Sequence, residues 1–185
     1  MIRHLALTLC LIAPPIAAAP EAWRLDPAGS SVQFTYDFAQ GDNRGTMPVK
    51  SAEMWIDLRD PGNSRVEVTL DATGARAGFF FATQAMKGPE VLDTARFPEI
   101  TFRSKRITGT VQAATVTGDL TLRGVTRPIT LQAGLYRARG SDPKDLDHLT
   151  VLLTGQINRR DFGADGFADL VGPMIGLRIV ARIER

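Results

Sequence analysis

Apolar and polar residues alternate one by one over much of the chain. From Ser30 to Phe38, Val32, Phe34, Tyr36 and Phe38 fall on one parity, and Gln33, Thr35 and Asp37 on the other. The same two-residue period returns in Met54, Ile56 and Leu58, and then in Val66, Val68, Leu70 and Ala72. It continues in Ile100 and Phe102, and in Val116, Leu120 and Leu122. Ile129, Leu131, Ala133 and Leu135 follow, then Leu149, Val151, Leu153 and Ile157, and the chain closes on Ile175, Leu177, Ile179, Ala181 and Ile183. Period-2 alternation is the mark of a strand with one buried face, so the pattern predicts eight strands. Asp60-Pro61-Gly62-Asn63 and Arg123-Gly124-Val125-Thr126 are short enough to close hairpins, whereas Asp142-Pro143 opens a longer polar loop. The pattern breaks between Gly78 and Thr94, where a short helix or two helical turns are expected, interrupted near Gly88-Pro89.

Strands apolar on one face and joined by short connections predict an all-β fold, an antiparallel sheet closed into a barrel or folded as a sandwich. Closure would remove the sheet edges that an open sheet must protect. An eight-stranded barrel is just wide enough to fill with side chains or to hold one small ligand. The inward parity mixes large residues with small ones at Ala72, Gly118, Ala133, Gly155 and Ala181. Such a wall either interdigitates as a dry core or leaves a channel, and the pattern by itself favours the filled core.

The first residues stand apart from this fold. Arg3 and His4 precede an apolar run from Leu5 to Ile12, Pro14-Pro15 breaks it, and Ala17-Ala18-Ala19 offers small residues for a peptidase. That is the layout of a secretory signal peptide, residues 1–19, with the domain at 20–185. The run is too short to span a bilayer, which needs about 20 residues, so no stable membrane insertion is expected after processing. Leu9 before Cys10 is too large for a lipoprotein signal. Cleavage after Ala19 would remove the only cysteine and leave His148 as the only histidine. Stability must then come from the core, for which roughly 165 residues suffice.

Composition removes other classes. With 22 Lys+Arg against 20 Asp+Glu the formal charge is +2, which points to no nucleic-acid partner. No cysteine nucleophile survives processing, no glycine-x-serine-x-glycine elbow is present, and no catalytic residue is assigned. Asp142, Asp145, Asp147 and His148 share a loop whose spacing fits no calcium site, and Asp161, Asp165 and Asp169 are equally misplaced, so no metal is assigned. Asp161-Phe162-Gly163 lacks every other element of a kinase. Arg159 shares inward parity with Leu153 and Ile157, and a buried guanidinium needs partners. A structural ion pair, with Asp161 or Asp119, is the expectation. Phe79-Phe80-Phe81 is the densest aromatic cluster, read as plugging one barrel end and lining a ligand entrance.

Four motifs occur in order. Trp23-Arg24-Leu25-Asp26-Pro27 leads into Ser30-Ser31-Val32-Gln33-Phe34. Phe97-Pro98-Glu99-Ile100-Thr101-Phe102-Arg103-Ser104 follows, then the run from Val116 through Gly118-Asp119-Leu120-Thr121-Leu122-Arg123-Gly124 to Pro128, then Ile157-Asn158-Arg159-Arg160-Asp161-Phe162-Gly163. Together they resemble the YceI-like family of exported polyisoprenoid-binding proteins, over about Trp23 to Glu184. Members often carry a histidine where this chain has Phe38, and a glycine-x-phenylalanine where it has Gly45-Thr46-Met47. The resemblance implies an extended lipocalin-like antiparallel barrel in the periplasm. It implies a non-enzymatic carrier with no cofactor, binding a long-chain isoprenoid or other apolar lipid, and it turns the preference from a filled core to a channel. The lining it implies is Phe34, Tyr36, Phe38, Ile56, Val68, Leu70, Phe102, Leu120, Leu131, Ala133, Leu153, Leu177 and Ile179, with Phe79, Phe80 and Phe81 at the entrance. An exported barrel enzyme or enzyme accessory acting on apolar substrates is the alternative. Oligomeric state is left open, a homodimer included.

Overall fold

A computed structural model describes residues 19–39, 41–137, 141–142 and 144–185. The expected signal segment 1–19 lies outside them except for Ala19. The strands are β1 (Glu21–Phe38), β2 (Gly41–Met47), β3 (Val49–Ile56), β4 (Arg65–Asp71), β5 (Glu99–Thr110), β6 (Ala113–Leu122), β7 (Val125–Arg137), β8 (His148–Asn158) and β9 (Val171–Glu184). One α-helix, α1 (Phe80–Lys87), lies between β4 and β5. Every strand pairing is antiparallel, and β1 pairs with β9 to close the sheet, for example through Val32 with Ile179 and Phe34 with Leu177.

Nine strands make eight staves. β2 and β3 are separated only by Pro48, which cannot donate to a ladder. β2 pairs with the end of β1 (Phe34 with Gly45), and β3 with its start (Trp23 with Met54). The two are halves of one bent stave, and the barrel is the expected eight-stranded antiparallel one. β2 was not predicted, because Gly41-Asp42-Asn43-Arg44 shows no apolar alternation. β1 was predicted only from Ser30 but begins at Glu21.

Three local devices keep the apolar parity inward. β6 and β7 are joined by Arg123 (φ 52°) and Gly124 (φ 73°), both left-handed, as a two-residue hairpin turn matched to strand twist requires. β5 carries a bulge between Ser104 and Arg106, so that Ile107 faces inward after Ile100 and Phe102. The Ser104 hydroxyl accepts the Val66 N–H at 2.9 Å, repairing the ladder to β4 there.

The buried apolar residues form three groups. One, near the α1 end, includes Val32, Met47, Leu92, Ile100, Leu120, Ile157 and Phe162. Two smaller ones occupy different sides of the barrel: Trp23, Met54, Leu149 and Ile183, and Ile107, Ala114, Val116 and Leu131. Phe102, Ile129, Leu177 and Ile179 pack against both the first and the third group, and the space these inner faces surround is the candidate site.

Candidate functional site

The barrel encloses a cavity of about 510 Å³, within the range of small-molecule sites. Every strand except β2 sends two or more side chains to it, and β2 sends Met47. All thirteen positions expected on the wall are there: Phe34, Tyr36, Phe38, Ile56, Val68, Leu70, Phe102, Leu120, Leu131, Ala133, Leu153, Leu177 and Ile179. The alternation carries this result directly, since one face of each stave must point inward. The small residues do not all widen the space. A methyl at Gly118 would stand 2.6 Å from Phe102 Cζ, and one at Gly155 2.5 Å from Leu131 Cδ2, so neighbouring side chains already cover these positions.

The two ends of the cavity differ. At the mouth, β1, β4, β6 and β8 end, and the long connections 72–98 and 159–170 cross. The α1 helix lies here, with Ala82, Ala85 and Met86 turned to the cavity. It starts after Phe79, whose carbonyl accepts both the N–H and the hydroxyl of Thr83 at 3.0 and 2.9 Å. It stops at Gly88, whose N–H donates to the carbonyls of Gln84 and Ala85. This is the short helix expected between Gly78 and Thr94, and it ends where the interruption near Gly88-Pro89 was expected; residues 89–92 and 94–96 are turns. Phe79 and Phe81 line the cavity, and Phe79 meets Phe38 at 5.8 Å between ring centres. Phe80 does not line it; it packs edge-on against Phe81 and is 69 % exposed. Phe81 is 79 % exposed although it touches the cavity, so the cluster forms a lip and does not plug the barrel. Phe167 and Leu170 line the mouth from the second crossing and are exposed as well.

Arg159 ties this end together. It is 5 % exposed and borders the cavity. The expected ion pair is not formed. Its guanidinium donates to four carbonyls instead: Gly172 (3.0 Å), Ala164 (2.5 Å), Gly166 (2.8 Å) and Val171 (2.9 Å). Asp119 is held by Lys105 at 2.7 Å. A connection that folds back on itself exposes carbonyls without ladder partners, and a five-donor fork satisfies several at once. Burial lowers the guanidinium pKa, Arg160 adds to the effect and Asp165 opposes it. Arg123 donates to the carbonyls of Gly163 and Pro89, and Arg127 to that of Asp161. Two of the sequence motifs, Val116–Pro128 and Ile157–Gly163, are thus two halves of one clasp at the mouth.

At the other end the β3–β4 turn folds under the barrel. Asp57, Pro61 and Ser64 reach the cavity, beside Ile107, Val111 and Gly134. The buried Asp57 carboxylate accepts the N–H groups of Arg59 (2.8 Å) and Asp60 (3.0 Å) and the Asn63 amide (3.3 Å). The backbone N–H groups of Asp60 and Arg59 hold its pKa below the usual value. Tyr36, on the wall, has its hydroxyl pushed up by burial and donates to the Ala77 carbonyl at 2.7 Å.

Several wall residues lay beyond sequence reasoning. Ile107 reaches the interior only because of the bulge, and Val91, Leu92, Phe167 and Leu170 belong to irregular connections without a period to read. Met47 and Val49 alternate correctly, but across Pro48. The acidic loop near His148 is an internal network: Asp145 accepts the N–H groups of Asp147 and His148 and lies 3.2 Å from the imidazole Nδ1. Among the described residues no group of three His, Cys, Asp or Glu side chains has metal-holding geometry, and no helix is long and apolar enough to cross a membrane.

A closed antiparallel barrel around a large apolar cavity, mouthed by one short helix, defines a lipocalin-like barrel. The chain belongs to the YceI-like family, whose domain model matches residues 23–183. It is 30 % identical over 118 residues to protein YceI of Escherichia coli O157:H7, an alignment covering 64 % of this chain and 61 % of that protein. The chain thus spans about three fifths of the length of the curated relatives it matches. Among solved structures it is similar to BcnA of Burkholderia cenocepacia, with a TM-score of 0.75 and 18 % identity over 87 % of this chain and 99 % of that one. A polyisoprenoid-binding domain from Saccharophagus degradans gives a TM-score of 0.66 at 15 % identity, covering 89 % and 98 % of the two chains. At such identities these structures speak for the fold alone.

Proposed function

We propose that the protein is a non-enzymatic, exported carrier or store that holds a polyisoprenoid or similar long apolar chain inside the barrel, working in the periplasm after loss of residues 1–19. The observation that carries this reading is the cavity: about 510 Å³, open at a phenylalanine lip and walled by aliphatic and aromatic side chains. The description of the Saccharophagus degradans neighbour as polyisoprenoid-binding supports the ligand class. The driving force would be apolar burial at about 0.8 kcal/mol per CH₂. A tail of some twenty carbons then gains on the order of 10 kcal/mol before the costs of ordering are charged against it. An apolar cavity stays dry and accepts such a guest without competing for ordered water.

The direct test is gentle isolation of the protein from its own compartment, native mass spectrometry and solvent extraction of the bound lipid. Ala133→Trp decides between carrier and filled core. Ala133 lines the cavity and pairs across the sheet with Ala114 and Leu153. In a filled interior the indole should cost about 1–3 kcal/mol by displacing neighbours. In a ligand cavity it occupies ligand space: the lipid-free variant melts close to wild type but binds a fluorescent lipid probe at least tenfold more weakly. Substitution of Thr130, on the outward parity of β7, changes neither. Loss of folding in Ala133→Trp, together with a wild type that never takes up probe, defeats the reading.

A further inference from the structure

The α1 helix has two faces. Phe81, Ala82, Ala85 and Met86 turn to the cavity. Phe80, Thr83, Gln84 and Lys87 recur at i, i+3, i+4 and i+7 and turn to a second groove, which shares only Phe79 with the cavity. The loop before the helix supplies the groove's other side, with Thr73 and the exposed Arg76. The Thr73 hydroxyl donates to Asp71 and the Thr83 hydroxyl to the Phe79 carbonyl. Among the described residues no carboxylate lines this groove, and neither Arg76 nor Lys87 forms an ion pair. The two cationic heads and the Gln84 amide are its unspent donors.

The opposite rim of the mouth is apolar too, through the exposed Phe167 and Leu170, but its charge is reversed. That crossing carries Asp161, Asp165 and Asp169, and Glu90 lies against its Gly166. Exposed phenylalanines beside unpaired cations therefore occur on the α1 side alone. Aromatic rings settle at the headgroup level of a bilayer, and Lys and Arg beside them meet lipid phosphates. A protein surface could also cover such a face. The choice of lipid rests on the carrier reading: a long apolar chain crossing water loses about fourfold in partition for each methylene exposed, so it is best exchanged where the mouth touches a bilayer.

We infer that the outer face of α1 docks the barrel on a membrane surface bearing anionic phospholipid. Phe80 and Phe81 enter the headgroup region, and Arg76 and Lys87 hold lipid phosphates in the groove. The aspartate-bearing crossing is turned away from the surface.

The test floats the whole folded protein with vesicles of phosphatidylcholine, alone or mixed with phosphatidylglycerol. Binding to the mixed vesicles should be about tenfold tighter, and high salt should abolish the difference. Arg76→Glu with Lys87→Glu should abolish it as well, and Phe80→Ser with Phe81→Ser should weaken binding several-fold. Arg106→Glu with Arg178→Glu makes the same change of charge on the outward parity of β5 and β9, and should alter binding by less than about twofold. Ala133→Trp, which fills ligand space, should dock as wild type does. Circular dichroism checks each fold, and should an α1 variant not fold, the lipid and salt dependence of the wild type decides. Equal losses from the two charge-reversed pairs would mean that net charge binds and not this face, which overturns the inference. Loss of docking in Ala133→Trp overturns it by making the association lipid capture in the cavity. A wild type that floats with neither vesicle, or equally with both, overturns it too and leaves the face to a protein partner. The carrier reading survives any of these results if the protein still takes up a fluorescent lipid probe in solution, and falls if it does not.

Discussion

The mouth and the floor of the barrel solve the same problem, covering a ring of strand ends, by opposite means. The floor uses two short turns, beside the longer β7–β8 connection of residues 138–147. Residues 57–64 fold under the barrel around one carboxylate, and β5 and β6 are joined by Val111-Gln112 alone. The mouth uses two long crossings held by arginines: Arg159, Arg123 and Arg127 all donate to carbonyls of 89 or 161–172. Apolar burial fastens only the inner part of the mouth, through Leu92, Phe162 and Ala164 of the crossings, while Phe79, Phe80, Phe81, Phe167 and Leu170 at its rim are left exposed. On the carrier reading, an end that admits a ligand needs a fastening that leaves the doorway free, and hydrogen bonds at the rim supply it.

The largest expected effect is therefore at the clasp. Arg159→Met keeps the bulk but orphans four carbonyls, that of Ala164 buried and those of Gly166, Val171 and Gly172 part-buried, and should cost on the order of 3 kcal/mol in denaturant unfolding. Arg160→Met, one residue on and exposed, should stay within about 0.5 kcal/mol of wild type. Equal effects at the two positions would mean that the clasp does not hold the mouth.

Backbone geometry sharpens the contrast at the next scale. Gly109 at the floor (φ 98°) and Gly124 at the mouth (φ 73°) both occupy conformations that L side chains rarely adopt. A methyl at Gly109 would collide with the Ala113 carbonyl, which is backbone, whereas one at Gly124 would lie 2.7 Å from the Phe97 ring, which can turn aside. Gly109→Ala should cost about 2–3 kcal/mol and Gly124→Ala about 1–2 kcal/mol. Thermal melts that rank them in the other order would make the mouth the more rigid end.

At the lip, stability and function should separate. Phe80 and Phe81 bury little, so Phe80→Ser with Phe81→Ser should change unfolding free energy by no more than about 0.5 kcal/mol. Uptake of a fluorescent lipid from vesicles should nonetheless slow several-fold. Unchanged uptake would remove the phenylalanines from the entry path.

This division also marks how far the sequence could be read. Staves with a regular period were legible, and with them the wall, because parity assigns each side chain a face: Leu131 and Leu153 could be placed without coordinates. Of the bent stave only the β3 half was, through Met54 and Ile56, since Gly41–Arg44 is polar on both faces and Pro48 interrupts the count. Nor was the inward turn of Ile107, which depends on a bulge that no residue type announces. Arg159 was correctly read as buried. Its partners were not, because the expectation paired charge with charge, whereas the crossing offered carbonyls that only the folded chain brings together.

The smallest effect belongs to the floor and is a pH dependence. The Asp57 carboxylate is stabilised in the folded state by the N–H groups of Asp60 and Arg59, so its folded pKa lies below the unfolded one, which is about 3.9 for a free aspartate. A group with a depressed folded pKa stabilises the fold fully above its unfolded pKa. That contribution is lost as pH falls through the folded value, because the unfolded chain takes up the proton first. Glu67, Asp71 and Asp145 are shifted the same way, so wild-type acid sensitivity alone does not isolate Asp57. Asp57→Asn does. Its amide oxygen can still accept a backbone N–H, but its amide nitrogen would turn a donor toward the Asn63 amide, which donates to Asp57 now. Unfolding free energies of wild type and variant should differ at pH 7, converge as pH drops below about 4, and leave the variant the flatter profile. A difference that stays constant down to low pH would show that the turn is held by its hydrogen-bond shape and not by the charge, and the floor would then lose its one electrostatic contrast with the arginine-fastened mouth.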